Sequence, residues 1–255
     1  MIFKTLRLIT LGLFTAVSQG IAGKPEALLH EGGQYLVHQV PAADLASLHL
    51  VWRGDDGQPL ANFGGLRDWL RQQGERIEFA TNAGIYEHGP KPCGLTVCRG
   101  VEQVLLNLAD GEGNFYLKPN GVFFIDQTGR AGVLEAAAFG RAGIPVRLAT
   151  QSGPTLLLNG QIHPGFNPTS QHRRQRSGVG VRAADGTVIF VLSVREAGAA
   201  GQVTFHQLAR TFLHLGCRDA LYLDGDISQF CVQPTDGEKF SPQTFAAMFY
   251  QVVPR

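Results

Sequence analysis

The sequence predicts an α+β protein: a single compact domain around a mixed, curved, mostly antiparallel sheet with two or three helices. Three observations carry this. Short apolar runs with near-alternating polarity recur along the chain, the pattern of half-buried strands. Asn159-Gly160 and Asp185-Gly186 sit beside such runs, and Asn120-Gly121 between two of them; these pairs accept the positive φ of tight hairpins. Only two segments with a clear start signal and stop glycine carry helical spacing. Glycine, 32 of 255 residues, is well above the typical ~7% and follows no triplet period, as in a turn-rich fold.

In chain order, 34–40 and 47–52 read as strands, and Asp55-Asp56-Gly57 as a turn. Asn62 caps a helix to Gln73 with Phe63, Leu66, Trp69 and Leu70 on one face and Gly74 as its stop. Residues 76–80 form a short strand that delivers Thr81-Asn82-Ala83-Gly84. A hairpin is expected from 114–117 through Pro119-Asn120-Gly121 to 122–125, and strands at 146–149, 155–158, 179–181 and 188–194. The second helix runs from Phe205 to Leu215, with Thr204 and Gln207 as a capping box and Gly216 as its stop. Residues 220–223 are a buried strand that delivers Asp224-Gly225-Asp226. The end reads two ways: Ser241-Pro242 opens like a helix, and 245–253 fits a strand equally well.

Charge and composition exclude several classes. A net charge of +1 gives no basic excess for nucleic acid. Charged residues are 17% of the chain, too few for a disordered or coiled-coil protein. Lys4 and Arg7 precede the apolar run 8–17, followed by small residues to Gly23, the order of a secretory signal peptide over 1–22. Cleavage fits after Ser18 or after Ala22; an uncleaved anchor is the competing reading. The run is too short for the ~20 residues that span a bilayer, and nothing later is long and apolar enough. The expectation is a domain from 24 to 255 in the periplasm or outside the cell, with no membrane span after cleavage. Cys93, Cys98, Cys217 and Cys231 permit three pairings in an oxidising compartment, with 93–98 and 217–231 as the local choice and four free thiols as the alternative.

Four segments put polar residues beside glycine at the end of an apolar run, where backbone N–H groups can approach a ligand: Thr81–Gly84, Gln151–Pro154, Arg176–Gly178 and Leu223–Asp226. Each alone is also ordinary turn chemistry. Asp224, Asp226 and Ser228 stand at positions one, three and five of a calcium-type loop, but Gln229 and Thr235 occupy positions six and twelve, so an EF-hand is rejected. A one-off divalent-cation site at Asp224 and Asp226 stays open, and the sequence points to no other cofactor. Gln151-Ser152-Gly153 lacks the G-x-S-x-G elbow of a serine hydrolase. His163 in Ile-His-Pro is a site candidate against the ordinary reading of a structural histidine. Arg173, Arg174 and Arg176 are the densest positive charge, a solvated face or a phosphate clamp.

Taken in order, Phe79–Gly84, Gly94-Leu95, Gly113–Tyr116, Pro119–Phe123, Gln151–Pro154, Gly160–Pro164, Arg176–Gly180 and Gly216–Gly225 resemble the phosphodiester glycosidase family. That family is named after the enzyme that uncovers mannose 6-phosphate, and the likeness is greatest to its small exported bacterial members. It spans roughly 35–253. The resemblance implies a hydrolase of sugars joined through the anomeric oxygen to phosphate, with its site on loops at one sheet edge. The partner is then a small molecule or glycan carrying a phosphodiester. Family members often carry Gly or Ser where this chain has Asp226, and a serine shortly after, kept here as Ser228. No family cysteines are expected near 93–98, which points to a local clip there.

On this reading Asp224 is the catalytic carboxylate and Arg176 the phosphate clamp. Asn82, Gln151 and Ser152 orient hydroxyls or phosphate, and the N–H groups of Gly84, Gly153 and Gly225 assist. Two other readings remain: a non-catalytic phosphoglycan-binding envelope protein, and a metal-dependent phosphodiesterase cutting P–O.

Overall fold

The computed structural model describes residues 24–87, 89–235 and 237–253; the segment 1–22 lies outside them. The strands form three main sheets. The first has seven strands in the order Glu26–His30, Gly33–Val40, Val188–Ser193, Ser177–Arg182, Cys217–Tyr222, Thr155–Leu158, Gln161–Ile162. The second orders Ala131–Glu135, Gly121–Asp126, Val146–Ser152, Thr96–Cys98 and Val101–Val104. The third orders Phe230–Val232, Ile77–Asn82, Met248–Val252 and His49–Val51. Every strand pairing in them is antiparallel. The α+β class and antiparallel character are those read from the sequence, divided over three sheets rather than one. No helix among the described residues is long and apolar enough to cross a membrane.

The sheets meet over one aromatic core. Phe79 and Phe249 come from the third sheet, Phe123 from the second and Phe190 from the first, all fully buried. Phe249 sits 5.1 Å from Phe190 and 5.6 Å from Phe123, in tilted and edge-on contacts. Helix α1 (Phe63–Gln72) lays Phe63, Leu66, Trp69 and Leu70 on the third sheet, and the Asn62 side chain caps it by accepting from Gly65 N. Helix α2 (Ala136–Ala142), too short to show a period, is capped by the Glu135 carboxylate. Helix α3 (Phe205–His214) keeps its full capping box and packs Leu208, Ala209 and Phe212 on the first sheet. Phe212 lies so close that a Cβ at Gly180 would come within 2.7 Å of its ring.

Several expectations are corrected. Residues 114–117 are not a strand: Asn114–Tyr116 is a 3-10 turn that drives Phe115 into the interior, and the Asn120 side chain donates to the Phe115 carbonyl. The partner of Gly121–Asp126 lies downstream, across a turn in which the Asp126 carboxylate accepts from Thr128 N and Arg130 N and Gly129 takes φ +85°. The Ser241-Pro242 helix does not form; Met248–Val252 is the strand alternative, inserted between two others. The four cysteines are free rather than paired. Cys217 packs under α3, whereas Cys231 packs under α1, in separate clusters. Burial pushes all four thiols up to about 12.

Thr204→Ala removes the α3 cap that holds Gln207 N. Urea unfolding should show a loss of about 1 kcal/mol, and an unchanged midpoint would mean the cap contributes nothing.

Candidate active site

Two neighbouring strands end side by side. Cys217–Tyr222 pairs with Ser177–Arg182 in a register that places Gly178 opposite Tyr222. The ladder runs on: Leu223 N donates to Ser177 O at 3.0 Å and Ser177 N to Asp224 O at 2.8 Å. Asp224 therefore emerges beside Arg176, 48 residues earlier in the chain, because both occupy the last rungs of one ladder. A cleft of about 760 Å³ opens there. Arg176, Asp224, Gly225 and Asp226 line it together with Phe205 and His206 from the start of α3. Phe166 and Asn167 come from the loop after Ile162, and Asn114 and Leu117 from the 3-10 turn.

The Arg176 side chain is buried and held. Its Nε donates to Val203 O at 2.8 Å and Nη2 to His172 O at 3.2 Å, and its guanidinium lies 3.6 Å from the Phe205 ring centre. Burial draws its pKa down, while Tyr222 and Asp226 favour the charged form; a guanidinium stays protonated through this. Arg174 also lines the cleft and its charge acts against that of Arg176. Among the described residues no carboxylate stands at ion-pair distance from either. Two unpaired guanidinium groups in one hollow form a place for an anion. Burial pushes the Asp224 carboxyl up to about 6; the Gly225 N–H, 2.7 Å from Oδ1, opposes the shift and the Asp226 charge adds to it.

Other predicted residues stand behind this surface. Asn82 is buried: Nδ2 donates to Ser228 Oγ at 3.2 Å and Oδ1 accepts from Gln229 N at 3.3 Å. Ser228 Oγ lies 2.8 Å from Ser177 Oγ, which meets Asp224 O at 3.3 Å. Ser152 Oγ donates to Leu223 O at 3.0 Å and accepts from Ile85 N. Asn82, Ser152 and Ser228 thus brace the turn from beneath rather than face the cleft.

The Gln151 side chain, expected at a ligand, is turned elsewhere. Its Oε1 accepts from Leu95 N and Asn107 N and its Nε2 donates to Asn107 O, so it ties one loop to another. Gly84 and Gly153 serve close packing: a Cβ would reach 2.4 Å from Gln151 O at the first and 2.5 Å from Phe115 O at the second. Gly84 N points to Thr150 Oγ1. His163 is buried behind the cleft wall, stacked 4.6 Å from Phe166, which is itself 5.1 Å from Phe205. Arg173 leaves the arginine cluster to bond Gln207 Oε1 and Gln202 O.

Sequence reasoning missed Phe166, Asn167, Phe205 and His206. The capping box that fixes where α3 begins was the one available signal, since it sets Phe205 and His206 at the helix's exposed start. Among the described residues, Asp224 and Asp226 included, no three His, Cys, Asp or Glu side chains converge as metal ligands.

Known proteins resemble this chain in sequence and in fold. The family model described as phosphodiester glycosidase matches residues 75–246. The uncharacterized protein YigE of Escherichia coli K12 is 34% identical over 179 residues, 70% of this chain and 67% of that one. Among solved structures, the catalytic domain of zebrafish N-acetylglucosamine-1-phosphodiester alpha-N-acetylglucosaminidase, auto-inhibited by its pro-peptide, superposes with a TM-score of 0.59. It is 15% identical, over 91% of this chain and 82% of that one. A hypothetical protein from Synechocystis superposes with a TM-score of 0.53 at 16% identity, over 90% and 61%. At these identities the structural likenesses are of fold alone. The matched region takes in both the Asn82 strand and the Asp224 turn, and with it the chain belongs to the phosphodiester glycosidase family.

Proposed function

We propose that the protein is an exported hydrolase that opens sugar-1-phosphodiesters at the bond between the anomeric carbon and oxygen. One observation carries the reading: a carboxylate with a raised pKa and an unpaired, immobilised guanidinium leave adjacent strand ends into the same cleft. Export rests on the charged-then-apolar order of the first 22 residues.

The chemistry follows from where charge moves. As the anomeric C–O bond breaks, positive charge builds on the sugar and negative charge on the departing phosphate. Asp224, ionised, faces the first. Arg176 and Arg174 meet the second, and Arg176 needs little reorganisation because Val203 and His172 already fix its plane. A phosphate is a good leaving group, so a second carboxyl acting as general acid matters less than in ordinary glycoside hydrolysis. The Phe166 and Phe205 rings offer apolar surface to the sugar.

The pH dependence has a definite sign. Asp224 works as the anion, so activity should be full well above its pKa of about 6 and be lost as protons are added below it. kcat/KM should fall tenfold per pH unit on the acid side of that value, and a profile flat through pH 5 would remove Asp224 from the reaction. Asp224→Asn should lower kcat by roughly 10³-fold or more and abolish the acid limb. Arg176→Lys, which keeps charge but loses the fork, should cost on the order of 10²-fold in kcat/KM for diesters. Screening p-nitrophenyl and sugar-1-phosphate diesters in oxygen-18 water tests the bond broken. Label in the sugar supports the proposal; label in the phosphate means P–O cleavage and overturns it.

A further inference from the structure

Four flat groups stand in a column along one wall of the cleft. The His163 imidazole lies 4.6 Å from the Phe166 ring, inclined to it by 23°. Phe166 lies 5.1 Å from Phe205 at 8°, close to parallel. The Arg176 guanidinium carbon then sits 3.6 Å from the centre of the Phe205 ring. Phe166, Phe205 and Arg176 line the cleft, whereas His163 is buried behind them. Flat groups in such contact constrain one another's tilt, so the placing of the first ring is felt at the guanidinium.

The column is anchored at its buried end. His163 Nδ1 accepts from Gly165 N at 3.0 Å, inside a turn that Phe166 N closes on His163 O at 3.1 Å. Pro164 holds the second position of that turn, where its fixed φ belongs. A Cβ on Gly165 would come within 3.1 Å of the imidazole, so the turn is folded onto the ring. His163 N donates to Leu156 O at 3.2 Å, which ties the turn to the first sheet. With Nδ1 accepting, the proton of the neutral ring sits on Nε2. Burial lowers the pKa of the ring and the Lys118 carbonyl opposes the shift, but Nε2 is buried and makes no hydrogen bond of normal geometry to it or to any other described residue. A buried donor without a partner is destabilising, and an apolar side chain of similar size would not carry that cost.

We propose that His163 is a positioning residue for anion binding: through Phe166 and Phe205 its ring holds the Arg176 guanidinium at the tilt that grips a phosphate. The two hydrogen bonds from Arg176 to Val203 O and His172 O define an axis, and the Phe205 ring fixes the rotation about it. That rotation decides where the remaining N–H groups of the fork point. The proposal rests on Arg176 acting as the phosphate clamp and adds a residue that works through it.

Calorimetric titration with inorganic phosphate reads the clamp without requiring turnover. His163→Leu fills the space without a flat ring and should weaken phosphate binding about fivefold, whereas His163→Phe restores a ring and should return it to within about twofold of wild type. In a Phe166→Leu background, where the column is already cut, His163→Leu should add less than about twofold. A purely structural role would cost the same factor in both backgrounds and would not tell leucine from phenylalanine. Wild-type binding by His163→Leu, equal losses in His163→Leu and His163→Phe, or additive losses in the double variant overturn the proposal. If neither His163 variant folds, Phe166→Leu alone, at a half-buried position, decides: a loss of about fivefold upholds the column and unchanged binding overturns it. Arg176→Ala separates this role from the clamp itself. No phosphate binding by the wild type, or equal binding by Arg176→Ala, removes the clamp and the positioning role together; a loss in Arg176→Ala with none in the His163 and Phe166 variants removes the positioning role alone.

Discussion

The antiparallel ladder between Ser177–Arg182 and Cys217–Tyr222 is the constraint on which the site depends. Its final rungs fix the separation of an acid and a guanidinium without any direct bond between them. A direct ion pair would neutralise both groups and close the cleft. The backbone holds them together instead, and leaves each free to act on a bound molecule.

Beneath that ladder lies a layer of buried polar groups that would be destabilising if left unpaired. Asn82, Ser177, Ser228 and Ser152 satisfy one another and the carbonyls of Leu223 and Asp224. Three sheets contribute to this layer: Asn82 from the third, Ser152 from the second and Ser177 from the first. The turn is therefore tied to every layer of the fold, and its position reports on the packing of all three. Gln175 and Arg195 extend the same network to the turn's outer side.

Much of this was legible in the residues. Capping boxes, stop glycines and Asn-Gly turns are local signals, and α1, α3 and the 155–162 hairpin follow from them. Asp224 could be singled out because it ends an apolar run beside glycine, and Arg176 because it belongs to the densest cluster of positive charge. What sequence does not carry is direction. Gln151 sits in the same kind of segment as Ser152, yet strand alternation sends its side chain to the opposite face, where it clamps the 94–107 loop. Phe115 misled the strand reading because an aromatic residue favours both strands and plugs, and only the cavity it fills decides between them. Phe166 lies in a loop without periodicity, and its place against Phe205 depends on contacts across 39 residues.

The cysteines bear on how such a chain reaches its destination. Cys98, Cys217 and Cys231 are buried and Cys93 is half-buried, and burial pushes all four thiols up to about 12, which lowers their thiolate fraction and with it their reactivity toward disulfides. The fold closes without a disulfide, so its packing alone holds the three sheets together. Such a domain is compatible with a reducing or an oxidising space.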